Sequence, residues 1–278
     1  DSFCKIKGPL YIGSDARRRI LLKIIVHSSK GGSGKSNIIC NLAVALSMMG
    51  KRVGVIDMDY AAPGLHVIFD LSKEELKHTL YDVVEGRCAS HDAVINLTRK
   101  LKVKKGRLYF VPASNEARSI VSIVRKSLEL STIESVINDI ASDYSLDYVL
   151  IDSRPGINQF SLLALGISDL VLLVARLDRQ DISGSEAILQ VTRVLSKPVQ
   201  LVASMVPAEQ ANKRTETKLA ELFNLPVLAI IPYEPDVQMN WSSGVFMLKQ
   251  PNHNFSVLIR ELATRILRLQ EEIIVSTP

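Results

Sequence analysis

Apolar residues recur along this chain in two alternating patterns. Short runs are apolar at nearly every position: LLKIIVHS (21–28), RVGVID (52–57), RLYFVP (107–112), DYVLID (147–152), DLVLLVA (169–175), QLVASMV (200–206) and VLAIIP (227–232). Runs of this kind predict strands of a parallel sheet covered on both faces. Between them, apolar residues return at helical spacing. Ile38, Leu42, Ala45, Leu46 and Met49 predict a helix from Lys35, closed by Gly50 where a capping glycine belongs. Further helices are expected over 73–85, stopped at Gly86, over 116–142 with a break near Ser131, and over 183–196, 213–223 and 253–270. In the last, Phe255, Leu258, Ile259, Leu262, Ile266 and Leu269 make one stripe, read as a core face.

Strand, loop, helix, strand over 21–57 is a βαβ unit. Its repetition predicts an α/β fold, one doubly wound, mostly parallel twisted sheet flanked by helices. Residues 20–270 are read as a single domain, after an irregular extension (1–19) with a basic cluster at Arg17, Arg18 and Arg19, and before a short tail (271–278). No repeat or low-complexity linker divides it. Ligands of such sheets collect at the C-terminal ends of the strands.

Composition narrows the chemistry. Hydrophobic residues are 47% of 278 and aromatics only 5%, so the core is large and aliphatic. A net charge of +5 permits contact with an anionic surface without demanding it. Cys4, Cys40 and Cys88 lie far apart and the histidines are scattered, which disfavours a zinc site or a disulfide framework and suits a reducing cytoplasm. No apolar run approaches the roughly 18 residues of a membrane span.

Candidate chemistry begins at KGGSGKS (30–36). The pattern G-x-x-x-x-G-K-[ST] asks for glycine at position 29, which is Ser29. Otherwise the loop suits a triphosphate. Backbone N–H groups of Gly31, Gly32, Ser33 and Gly34 can approach an anion closely, and a helix N-terminus adds partial positive charge. Lys35 would bridge the β- and γ-phosphates, and the Ser36 hydroxyl would hold Mg²⁺. A chance glycine turn and a dinucleotide loop are the rivals. The second has an acid, Asp57, in a suitable place but Asn37 where its third glycine belongs. Asp57 and Asp59 at i and i+2 point the same way from an extended segment. Asp152 ends an apolar strand, as a Walker B aspartate holding Mg²⁺ through water does. Each acid alone reads as well as a solvated strand end, but all lie at strand ends in one chain.

Here the sequence resembles the ParA/MinD family of deviant Walker ATPases, from about residue 20 nearly to the end. KGGSGKS is similar to the family's loop, whose first lysine is its signature. KRVGVIDMDYAAPGL (51–65) resembles the second strand and switch I, DYVLIDSRPG (147–156) Walker B and switch II, and IPYEPDV (231–237) the adenine-proximal loop. HTLYDVVEG (78–86) and YFVPAS (109–114) fall where the family has similar segments, and the MinD-like side is favoured. The resemblance implies a P-loop NTPase that binds ATP and Mg²⁺ and closes as a homodimer around two nucleotides. Lys30 would reach the partner's phosphates, Asp59 position the attacking water, and Asp57 order the Mg²⁺ shell with Ser36 and Asp152. Gly31 would permit close approach of protomers, Asn37 would donate to an α-phosphate, and Pro232 and Asp236 would lie at the base. It also implies slow ATP hydrolysis stimulated by a protein partner, in the cytoplasm or at the membrane or the nucleoid.

Three departures stand out. Asn37 replaces a frequent threonine, Arg154 a second switch II proline, and Ser204 the asparagine that reads adenine. The basic segment Arg99–Arg107 offers phosphate contacts but reads more readily as a solvated basic loop or edge strand. The competing class is a nucleotide-dependent carrier or scaffold for a metal cluster or protein assembly, for which the cysteines supply no pattern.

Overall fold

Each of the seven apolar runs forms a strand in the computed structural model, which describes residues 11–12, 19–113 and 130–276. In chain order the strands are β1 (Tyr11–Ile12), β2 (Arg19–Ile20), β3 (Leu22–His27), β4 (Arg52–Asp57), β5 (Ile95–Asn96), β6 (Arg107–Val111), β7 (Tyr148–Asp152), β8 (Leu170–Ala175), β9 (Val199–Val206) and β10 (Val227–Pro232). β1 and β2 pair only with each other, antiparallel. The other eight make one sheet in the order β10-β9-β8-β3-β7-β4-β6-β5, parallel except at the β5–β6 edge. From β3 the chain builds outward through β4 and β6. It then returns to insert β7 beside β3 and builds the other way through β8, β9 and β10. That reversal opens the crevice in which doubly wound sheets bind ligands.

Ten α-helices are described: α1 (Lys35–Met48), α2 (Leu65–Ile68), α3 (Leu80–Val84), α4 (Leu130–Asp143), α5 (Gln159–Ile167), α6 (Arg179–Val194), α7 (Lys213–Phe223), α8 (Pro235–Met239), α9 (Phe246–Lys249) and α10 (Asn254–Ser276). Period-2 alternation in β3 sends Leu22, Ile24 and Val26 to one face and Leu21 and Ile25 to the other. The first face packs on α1 and α10 through Ile38, Leu42, Leu262 and Ile266. The second packs on α4, α5 and α6 through Ile133, Ile137, Leu165 and Ile188. Each such side chain, fully buried, contributes about 1.5–3 kcal/mol. The expected stripe of the last helix is thus core, with Phe255, Ile259, Leu262 and Ile266 buried.

Several boundaries differ from expectation. The stretch 73–85 is not one helix but a 3₁₀ turn (Lys73–Glu75) and α3. Two capping boxes divide it. The Ser72 N–H donates to Glu75 Oε2 at 2.8 Å and the Thr79 N–H to Asp82 Oδ2 at 2.8 Å, so Thr79 starts a new helix where the pattern predicts continuation. Of 116–142, residues 116–129 lie outside the described residues. α6 begins at Arg179 because Asp178 caps it, accepting from the Gln180 and Asp181 N–H groups at 3.1 and 3.0 Å. α10 continues through Ser276, into the segment read as a tail. α5 has no counterpart in the sequence reading. In the basic segment Leu101 and Val103 are buried, the charged side chains around them are exposed, and Lys100 pairs with Glu75 at 3.2 Å. Gly106 there is required by space, since a Cβ would lie 2.1 Å from the Lys51 carbonyl oxygen.

Candidate functional site

The ends of β3, β4 and β7 and the start of α1 meet at the C-terminal edge of the sheet. β3 delivers the loop 28–34, which turns into α1. Gly32 (φ +78°) and Gly34 (φ +82°) adopt left-handed backbone, so glycine is the fitting residue at both. Gly31 is different. A Cβ there would meet nothing within 4 Å, so nothing within the chain requires glycine.

Lys35 and Ser36 open α1 and face Asp152 at the end of β7. Lys35 Nζ lies 2.5 Å from Asp152 Oδ1, and Ser36 Oγ donates to Oδ2 at 3.3 Å. In the β4–β7 ladder Asp57 is the register partner of Asp152. Two carboxylates therefore lie side by side, 0% and 2% exposed, with Lys35 facing them at 7%. The Asp59 N–H donates to Asp57 Oδ1 at 3.0 Å, and Asp57 Oδ2 has no partner. Burial first, then the charge of Asp152, pushes the Asp57 carboxyl up to about 8. Burial also raises Asp152, against the pull of Lys35. Asp59 is buried too; its Oδ1 accepts from the Ala61 and Ala62 N–H groups at 3.3 and 3.2 Å, which turns it onto its own loop.

The unpartnered Asp57 oxygen, the Asp152 carboxylate and the Ser36 hydroxyl are hard oxygen donors of the kind Mg²⁺ takes. Among the described residues no cluster of three or more His, Cys, Asp and Glu forms a metal cage. The donor set therefore fits a cation that keeps water and phosphate oxygens in its shell.

His27, at the end of β3, is fully buried, with Nδ1 2.7 Å from Ser153 Oγ and no partner at Nε2. Burial first, then Lys35, lowers it to about 3. The unfolded histidine protonates near 6.5, so below that pH protons favour the unfolded chain. The histidine's contribution to stability is whole above about 6.5 and is lost as pH falls toward 3, on the order of 5 kcal/mol in all. Urea unfolding between pH 7.5 and 4.5 tests this: His27→Gln should lose less stability than the wild type, and parallel curves would refute it.

Beside the loop lies a cleft with about 420 Å³ of empty volume, lined by Gly34, Asn37, Ser204, Pro232, Glu234 and Gln238 among others. Pro232 and Asn37, the residues expected at the base and the α-phosphate, both line this cleft. Asp236 is not in the lining, and its carboxylate lies 3.6 Å from His253 Nε2. Arg154 is exposed. Cys40 is buried in α1, and burial pushes its thiol well up.

Sequence reasoning missed what holds positions 29 and 30. Ser29 Oγ donates to Asp181 Oδ1 at 3.2 Å, and Arg176 Nε donates to Asp181 Oδ2 at 2.8 Å. A Cβ on Gly184 would lie 2.7 Å from that of Ser29. Lys30 Nζ donates to Gln180 Oε1 in the first turn of α6. The signal was Asp178 and Asp181 at the opening of a helix; the tie of Asp181 to Ser29 spans 152 residues, which periodicity does not register.

Residues 22–202 match a family model described as an AAA domain. The chain is 26% identical to the septum site-determining protein MinD of Bacillus subtilis over 250 residues, 88% of each chain. Its fold is similar to MinD complexed with Mg-ADP from Pyrococcus horikoshii, with a TM-score of 0.75 at 19% identity, covering 91% of this chain and 99% of that one. It is also similar to a chain of the MinC:MinD cell division protein complex of Aquifex aeolicus, with a TM-score of 0.74 at 22% identity over 88% and 95%.

Proposed function

Because the chain belongs to the ParA/MinD family of P-loop ATPases, we propose that it is an ATP-timed switch. Two copies close on two nucleotides, hydrolyse ATP to ADP and phosphate, and separate, timing the positioning or partition of a cargo. The observation that carries this is the buried junction of Lys35, Ser36 and Asp152 beside Asp57. It joins the phosphate loop to both switch strands, so loss of the γ-phosphate is felt at once in the segments after Asp57 and after Asp152.

The family resemblance, with the contacts described above, supports the following roles. The N–H groups of the loop receive the phosphates, and Lys35 exchanges Asp152 for the β- and γ-phosphate oxygens. Ser36, Asp57 and Asp152 would hold Mg²⁺, which when bound would neutralise charge on the phosphate oxygens. Asp59 leaves its loop contacts to orient the attacking water. Lys30 completes the site of the second copy, where it offsets the charge on the transferring phosphoryl group as an arginine finger does. The open space beside Gly31 supports a close approach of that copy. The base occupies the cleft at Pro232, with Asp236 outside its lining. Hydrolysis is slow until a protein partner stimulates it, and the closed dimer works at a membrane or DNA surface. The MinD likeness and the MinC:MinD complex point to division machinery as the nearest cargo. Among the described residues no helix is long and apolar enough to cross a membrane, so any membrane contact by these residues is peripheral.

Asp59→Ala with ATP and Mg²⁺ should trap the dimer, doubling the mass seen by light scattering, while ADP leaves the monomer. A monomer under both conditions would sink the dimer cycle. Co-sedimentation of the trapped dimer with anionic vesicles, beside a DNA mobility shift, identifies the surface.

A further inference from the structure

Lys30 is held in a poor place for a cation. It sits over the start of α6, where the helix carries partial positive charge, and its partner there is the uncharged, exposed side chain of Gln180. One carboxylate offsets this. Asp178 lies below the usual carboxylate range, held there first by the Asp181 N–H, then by the charges of Arg176 and Lys30. The backbone beneath is fixed. Ser29 is bonded to Asp181, which is 1% exposed and is itself gripped by the Arg176 Nε and backbone N–H at 2.8 and 3.3 Å. The Lys30 carbonyl oxygen accepts from Ser28 Oγ at 2.9 Å. Gly184 lets the helix approach Ser29 so closely that any side chain there would collide with it. The main chain is anchored, and the lysine side chain is tethered weakly.

We propose that Gln180 is a positioning residue that parks Lys30 on its own chain and sets how readily the lysine crosses to the nucleotide of a second copy. Resting on the trans role of Lys30 above, this adds a step to the cycle: Lys30 leaves Gln180 before it meets the partner's phosphates. The neutral amide suits a parked group that must be released. It gives one hydrogen bond and no ion pair. A carboxylate in its place would hold the lysine by charge and compete with phosphate. Because Asp181 keeps the backbone still, the swing is confined to the side chain and costs no rearrangement of the loop.

The test is a graded series at position 180 in the full chain, with hydrolysis measured against ATP and protein concentration. Gln180→Glu should lower kcat about fivefold, the equivalent of roughly 1 kcal/mol for an exposed pair, with the KM for ATP unchanged. Raising the salt from 0.05 to about 0.5 M should remove most of that loss by screening. Gln180→Ala should raise kcat about twofold to threefold. Thermal midpoints of both should match the wild type. Lys30→Ala separates the two levels. If it hydrolyses ATP as fast as the wild type, the trans role itself falls, and the parking role with it. If it is inactive while Gln180→Glu and Gln180→Ala both match the wild type, the trans role stands and the parking role is overturned. A loss in Gln180→Glu that salt does not relieve also overturns it, because a packing defect would behave that way.

Discussion

Lys35→Ala is expected to lower ATP hydrolysis by about 100- to 1,000-fold and to destabilise the nucleotide-free protein as well. The first effect is the loss of a preorganised cation where negative charge develops. The second is less usual for a ligand-binding residue. Lys35 is the positive group held directly against Asp152, 2.5 Å away, with Asp57 in the adjacent register position. Removing it leaves Asp152 buried without its cation beside the Asp57 carboxyl, and breaking a buried pair by deleting one partner costs about 3–5 kcal/mol. Thermal and urea unfolding without nucleotide measure it. A variant that loses hydrolysis but unfolds at the wild-type midpoint would show that the pair contributes nothing to the folded state.

Asp57→Asn should have the opposite sign in stability and the same sign in function. The amide spares the folded chain the proton that Asp57 must take up beside Asp152, keeps the acceptor for the Asp59 N–H, and should stabilise the nucleotide-free protein by about 1–4 kcal/mol. Hydrolysis should fall about 10- to 100-fold, the usual effect of disturbing the shell around a metal site. The pH dependence has a definite sign. The folded carboxyl keeps its proton to about 8 and the unfolded one loses it near 3.8, so the wild type loses stability as pH rises through that interval. The advantage of Asn should therefore be small near pH 4 and full by about pH 8. An advantage independent of pH would place its origin in packing. Together the two variants describe a site whose charges are arranged for a ligand that supplies the remaining charge, at the expense of the empty fold.

Much of this was legible in sequence because parallel strands advertise themselves. β3, β4 and β7 are buried on both faces, so nearly every position is apolar, with Lys23 in β3 and Arg52 in β4 the charged exceptions before the acids that end β4 and β7. The phosphate loop was legible for a related reason, since left-handed backbone at 32 and 34 leaves glycine as the fitting choice. What escaped was not local. α5 (QFSLLALGI) is so uniformly apolar that no helical period emerges; its signal lay in the cap, where Asn158 accepts from the Phe160 and Ser161 N–H groups at 3.1 Å. The stretch 73–85 was misjudged because apolar spacing survives a capping box that restarts the helix. The placing of β7 between β3 and β4, which sets Asp57 beside Asp152, follows from the crossover order and not from either segment. At Asp236 the sequence does not show the neighbour: Glu234 lines the cleft, and His253 Nε2 lies 3.9 Å from the Glu234 carboxylate and 3.6 Å from that of Asp236.

The pairing of β4 with β7, Val53 with Tyr148 through to Asp57 with Asp152, also says where this chain can change length. Side chains alternate faces along a strand, so one residue inserted within 53–57 or 148–152 would turn the terminal acid away from the loop and bring an apolar neighbour into its place. The same insertion in the turn before Gly106, at exposed Lys104 or Lys105, would shift no rung of that ladder. Length variation should therefore be tolerated at the N-terminal ends of the strands and refused at the C-terminal ends, even where every substitution at the inserted position would be conservative.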